Sequence, residues 1–333
     1  MAITRRTFTA SSAALLAACQ NGAQAPPPPA SGAWRSAPAM PYAVQEIYPA
    51  LHDGAIWIAG GFSPQALGAT KRVIVFDIAA NTWRDAPALP DPAHHVHLSA
   101  LNGALYAIGG FRGGLTRMQW ICVPRVLRLD GDRWIEGPAL PKPIGEAVPL
   151  VHDNRIHLIG GRSPAGEANS DWNDQADIAD HFVLSAGASA WERAAPLPLA
   201  RNSAAGAVLN GALHVISGRT VASGQTPAHH IYDPQTDTWR DGAPYPEPRG
   251  GLAAATLDDA IIAGGGEIFE PGSVGTALYR LDASGEWRAF ETLPTPRHGH
   301  CFIVADGTLY ALGGAQRPGG DGALASVDVL GRT

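Results

Sequence analysis

The chain has 333 residues, 45% of them apolar and 16% charged, with 39 glycines, 28 prolines and a net charge of −6. This balance excludes a disordered chain and offers no electrostatic pull toward nucleic acid. No apolar run reaches the ~18 residues of a membrane span, and three cysteines cannot build a disulfide framework.

Residues 1–18 read as an export signal. Arg5 and Arg6 make a basic start, and the apolar stretch from Ala10 to Ala18 is far too short to span a bilayer. Thr4-Arg5-Arg6-Thr7-Phe8 resembles a twin-arginine motif, which directs folded proteins across the membrane. Leu16-Ala17-Ala18-Cys19 resembles a bacterial lipobox, which implies lipidation of Cys19 as the mature N-terminus. Residues 19–32 follow as a tether, and Pro26 to Pro29 favour extended polyproline II. The expectation is a periplasmic protein anchored by its lipid alone. Gln20, rather than Asp, after the cysteine points to the outer membrane.

Residues 33–333 repeat six times. Trp34, Trp83, Trp134, Trp191, Trp239 and Trp287 are each followed seven residues later by proline, from Pro41 to Pro294. A glycine lies 27 residues after each tryptophan: Gly61, Gly110, Gly161, Gly218, Gly266 and Gly314. Five of these close a Gly-Gly pair, and the fourth closes Ser217-Gly218. Seven residues earlier comes a tight-turn dipeptide such as Asp53-Gly54, Asn102-Gly103 or Asp153-Asn154. Between apolar runs, Asn-Gly and Asp-Gly predict hairpins. Spacing from glycine to the next tryptophan varies from 21 to 30 residues. All length variation therefore falls in one loop per repeat. Each repeat predicts four antiparallel strands.

Gly-Gly, a strand such as Val73–Asp77, Trp and Leu-Pro at this period resemble the kelch repeat. The resemblance implies an all-β, six-bladed β-propeller with four-stranded antiparallel blades, the last closed by the N-terminal strand around Trp34. The six tryptophans are expected to lie between blades.

Function is expected where the loops entering each blade meet the variable loops. Counted from the proline of each Trp–Pro pair, the third residue is Val44, Ala93, Ile144, Arg201, Arg249 and Arg297 in order. The fifth is Glu46, His95, Glu146, Ser203, Gly251 and Gly299. Gln45, His94, Asn202 and His298 occupy fourth positions, and Arg162, Arg219 and Glu267 follow the glycine pairs. Arginines over one arc suit an anion, because the guanidinium fork binds it bidentately. Glutamate and histidine over the other arc suit proton exchange. Arg201, Arg249, Arg297, Asn202, His298, Arg162, Arg219 and Glu46 are the candidate ligand-binding residues. Glu267, His95 and Glu146 are the candidate catalytic residues. The loop from Glu167 to His181 carries Glu167, Asp171, Asp174, Asp177 and Asp180. It reads as a solvated acidic loop or as a cap that pairs with arginines. Neither metal nor cofactor is expected, and Cys122 and Cys301 are expected to be free thiols.

Two functional readings follow. The first is a monomeric module that binds a small anionic or sugar-like ligand or a cell-envelope protein. The second rests on Gly265-Gly266-Glu267, which is similar to a motif of the periplasmic sialic acid mutarotases, themselves six-bladed kelch propellers. It implies a mutarotase- or epimerase-like enzyme with Glu267 as an acid–base group. In that family an essential arginine follows shortly. Ile268 to Val274 contain none here, so Arg249 or Arg297 would have to supply it.

Overall fold

The computed structural model describes residues 34–113 and 119–331. The expected signal, the lipidated Cys19 and the tether lie outside the described residues. Within them there is no α-helix, only two short 3-10 turns, Pro64–Ala66 and Trp172–Asp174. The strands form six four-stranded antiparallel sheets, plus small ribbons near the axis. We number the sheets as blades in chain order. Blade 1 comprises Ala50–His52, Ala55–Ala59, Val73–Asp77 and Thr82–Ala86. In blade 6, Arg35–Ala37 pairs with Val327–Leu330, with Arg35 opposite Val329. The N-terminal strand after Trp34 thus completes the last blade and pairs the edge of Val327–Leu330.

The first strands of successive blades lie side by side, and that of blade 6 lies against that of blade 1. The result is a β-propeller around a central axis. Its core is divided into apolar wedges, each between neighbouring blades. Ile56, Ile58 and Phe76 of blade 1 meet Tyr310, Leu312 and Val327 of blade 6. Trp57 and Val75 meet Leu105 and Trp134 of blade 2. The repeat tryptophans close these wedges. The indole N–H of Trp83 donates to the Pro38 carbonyl, that of Trp134 to Pro87 and that of Trp191 to Pro138. Trp239 and Trp287 donate likewise to Ala195 and Ala243. Each of these tryptophans staples its outer strand to the preceding blade.

Backbone conformation accounts for the turn residues. Both members of all six dipeptides, Asp153-Asn154 and Asp258-Asp259 included, have φ between 46° and 80°. That is the left-handed region which a two-residue hairpin of right-twisted strands requires. The second glycine of each pair has a further reason. A Cβ on Gly110 would lie 2.6 Å from the His95 carbonyl oxygen and 2.7 Å from that of His94.

Candidate functional site

Three positions per blade build the site. The fourth residue after each proline forms an antiparallel bridge to the residue that follows the glycine pair. The bridges are Gln45–Phe62, His94–Phe111, Gly145–Arg162, Asn202–Arg219, Gly250–Glu267 and His298–Ala315. The fifth residue sits beside the axis, and all six adopt φ between 50° and 64°. Their main chains link around the axis: N–H groups of Glu46, His95, Ser203, Gly251 and Gly299 each donate to the carbonyl of the preceding member. Between His95 and Glu146 the pattern changes, and the Ala147 N–H donates to His97 Nε2 at 3.1 Å.

On this scaffold the side chains close a second ring. Glu46 Oε2 lies 2.9 Å from His95 Nε2, and that nitrogen lies 3.9 Å from Glu146 Oε1. The Ser203 hydroxyl sits 3.1 Å from Glu146 Oε2 and 3.0 Å from Asn202 Oδ1. Arg219 Nε donates to Asn202 Oδ1 at 3.1 Å, and its Nη1 donates to Glu267 Oε1 at 2.9 Å. His298 Nδ1 lies 3.4 Å from Glu267 Oε2 and 3.6 Å from Glu46 Oε1, which closes the circuit. Every blade contributes. Glycines make the room: a Cβ on Gly299 would lie 2.7 Å from the Glu46 carboxyl, and one on Gly250 2.9 Å from Arg219 Nη1.

Above the ring lies a cavity of ≈ 260 Å³. Glu46, His95, Arg219 and Glu267 are its polar lining; Phe62, Trp120, Trp172 and Phe269 are its aromatic walls. Phe269 lies over the Arg219 guanidinium at 4.5 Å, and Trp172 over that of Arg162 at 3.9 Å. Such stacking on a flat cation is favourable and leaves ring faces and edges for a ligand. Gly319 donates its N–H to Glu267 Oε2 at 2.8 Å and brings a glycine-rich loop of blade 6 to the pocket edge.

The ring is charge-compensated. Burial would raise the Glu46 carboxyl, but His95, His298 and Arg219 outweigh it and bring its pKa to about 2. Burial would lower Arg219, but Glu146, Glu267 and Glu46 hold it above its ordinary value. His94 is held well below the ordinary imidazole range by burial and by the neighbouring His95.

The predicted residues divide into two groups. Glu46, His95, Glu146, Asn202, Arg219, Glu267 and His298 meet in the ring. Arg162 is wholly buried beside it, and its Nη2 donates to the Trp172 and Gln175 carbonyls. Arg201 and Arg297 do not line the pocket. Arg201 donates to the Leu199, Val215 and Ser217 carbonyls and contacts His230. Arg297 donates to the Ala311 and Gly313 carbonyls and pairs with Asp328. Arg249 pairs with Glu247 and donates to Ser273. These three arginines lie off the pocket, in a scaffold layer where other blades carry buried Val44 and Ile144.

The acidic loop is structural in this arrangement. Asp171 and Asp174 cap the turn that carries Trp172. Asp177 holds Asn202 and the Val221 N–H, and Asp180 pairs with Lys142 and Arg193. Among the described residues no group of three or more His, Cys, Asp or Glu side chains is placed to hold a metal ion. Cys122 and Cys301 are free.

The aromatic walls were not singled out from sequence. Phe62 had a signal, since it follows Gly61 just as Glu267 follows Gly266. Trp120, Trp172 and Phe269 sit in loops of unequal length, where no repeat register exists to align them.

No family model and no curated protein matches the sequence. Solved structures do match the fold. The structure of YjhT is similar to this chain with a TM-score of 0.74 and 17% sequence identity, over 87% of this chain and 95% of that one. At that identity the likeness concerns the β-propeller fold alone.

Proposed function

We propose that this protein is an exported, lipid-anchored propeller of the kelch type that binds a small polyhydroxylated, sugar-like molecule in the axial pocket. One observation carries the reading: a closed ring of charged and polar side chains forms the floor of a cavity whose walls are aromatic. Carboxylates and guanidinium accept from and donate to hydroxyl groups, while flat aromatic faces cover the C–H surfaces of a sugar. The pairing also sets the charge of the ligand. Each arginine on the pocket side already has a carboxylate or carbonyl partner, which favours a neutral polyol over a bare anion. Arg5-Arg6 and Leu16–Cys19 support export and anchoring in the periplasm. The ring is complete within one chain, which supports action as a monomer.

A second reading has its own support. His95 Nε2 and Glu46 Oε2 lie 2.9 Å apart at the pocket floor, close enough to share a proton, and Glu267 approaches Glu46 across the His298 imidazole. Acid–base exchange of anomers of the bound sugar fits this arrangement.

The test is a thermal-shift screen of residues 20–333 against neutral sugars, sugar acids and divalent cations. A ligand that binds only the folded state stabilises by ~2.7 kcal/mol at a hundredfold excess over its dissociation constant. Stabilisation by a neutral sugar supports the reading, and acceleration of its anomer exchange by NMR then supports the enzyme. A response to none of them overturns it in favour of a cell-envelope protein partner.

A further inference from the structure

We infer that His94 is a positioning residue: it dictates which nitrogens of His95 carry hydrogen and makes the Nε2 hydrogen of His95 the one shared with Glu46. His94 is wholly buried and does not line the pocket, so it acts only through its neighbour.

The argument runs outward from a main-chain group. The Gln119 carbonyl can only accept, and it lies 2.8 Å from His94 Nε2. That nitrogen therefore carries the hydrogen. Burial keeps the His94 ring neutral, so its Nδ1 is a bare lone pair. His95 Nδ1 lies 2.7 Å from that lone pair and must donate to it. The other nitrogen of His95 faces Glu46 Oε2 at 2.9 Å and Glu146 Oε1 at 3.9 Å. Ionised carboxylates only accept, so Nε2 also carries hydrogen. His95 is an imidazolium, imposed by acceptors on both sides. The remaining neighbours of the ring are Tyr48, Phe62, Phe111 and Trp120, which meet it through their aromatic rings.

The fold fixes His94 itself. Its ring is stacked between Phe62 at 4.0 Å and Phe111 at 5.2 Å. Phe111 in turn occupies space that only a glycine leaves open, because a Cβ on Gly145 would lie 2.3 Å from the Phe111 ring. His298 obeys the same rule by a different route. Its Nε2 donates to the Arg317 carbonyl at 2.8 Å, and its Nδ1 faces Glu46 and Glu267. Glu46 thus lies between two imidazoles whose outer nitrogens are both locked as donors.

The functional meaning of this device rests on the acid–base reading above, but the protonation states do not, and they are measured without ligand. The experiment is long-range ¹H–¹⁵N correlation NMR of the histidine-labelled protein at neutral pH. The wild type is expected to show His94 with hydrogen on Nε2 only and His95 with hydrogen on both nitrogens. His94→Phe keeps the stack and removes the acceptor; His95 then loses its Nδ1 hydrogen. His94→Gln, whose side-chain carbonyl accepts the same hydrogen, restores it. In Glu46→Leu, which leaves His94 untouched and offers no acceptor to the other nitrogen, His95 keeps the Nδ1 hydrogen and loses the one on Nε2. A neutral His95 in the wild type, or an unchanged imidazolium in a folded His94→Phe, overturns the inference. If no sugar binds while these states hold, the functional reading fails and the inference stands.

Discussion

Two sets of arginines, one in the scaffold and one at the pocket, do opposite work. Arg201 and Arg297 turn their guanidinium groups to main-chain carbonyls of the blades they lead into, and Arg297 also pairs with Asp328. Arg219 meets Glu267 and Asn202 and borders the pocket. All are buried. What separates them is their partners. Carbonyl groups of a neighbouring strand are fixed by the sheet and cannot be exchanged for ligand. Carboxylates and amides at the mouth of the channel can share their hydrogen bonds with whatever enters. The histidines follow the same division. Arg201 Nη1 donates to His230 Nδ1 at 2.9 Å, which requires a neutral imidazole. In the ring above, imidazoles stand among carboxylates.

Acid separates the two layers most strongly. Burial, with Arg201 as the next cause, lowers His230 from its ordinary 6.5 to about 4. Burial lowers His181 and His229 to about 4, and His157 and His214 to about 3. The unfolded chain takes up these protons first as pH falls. The stabilisation is therefore complete above about pH 6.5 and declines toward pH 4 and below, by roughly 1.4 kcal/mol per unit of separation for each group. Urea denaturation across this range is expected to show the largest loss of any perturbation here. A flat profile would mean that the scaffold histidines are not held neutral.

Next in size is Arg297→Ala, which strands Asp328 and two buried carbonyls. It is expected to cost ~3–5 kcal/mol of unfolding free energy, read from the urea midpoint. Whatever protein remains folded should bind ligand with unchanged affinity. A selective loss of binding instead would place Arg297 with the ring. The converse variant, Arg219→Met, is expected to weaken ligand binding by ~1.5–3 kcal/mol, the scale of a charged hydrogen bond, measured by calorimetry. Equal binding by this variant would erase the distinction between the layers.

The strand framework is largely legible in the sequence. Asp53-Gly54 and its five counterparts announce hairpins because the φ they need is open to few residue types. Even the irregular Ser217 follows the rule: it holds φ at 53°, and its hydroxyl accepts from the Arg249 N–H and has the Thr226 and Arg249 carbonyls as acceptors for its one hydrogen. Within the site, the fourth and fifth positions and the residue after the glycines were found by alignment. The third-position arginines shared their alignment but not their surroundings. From sequence, a guanidinium aimed at a strand and one aimed at a pocket look the same.

Sequence by itself determined what depends on neighbours along the chain: six hairpin sets, the tryptophan staples, and the loops in which length varies. Tertiary structure decided what depends on neighbours across the ring. Glu46 meets His298 because blade 6 comes round against blade 1, and Glu267 meets Gly319 because a loop of the next blade reaches the pocket edge. The aromatic walls come from four separate segments that share no register. Local dihedral preferences are set by adjacent residues, so they can be read one repeat at a time. Charge pairing around an axis is a property of the closed circle, and no single repeat contains it.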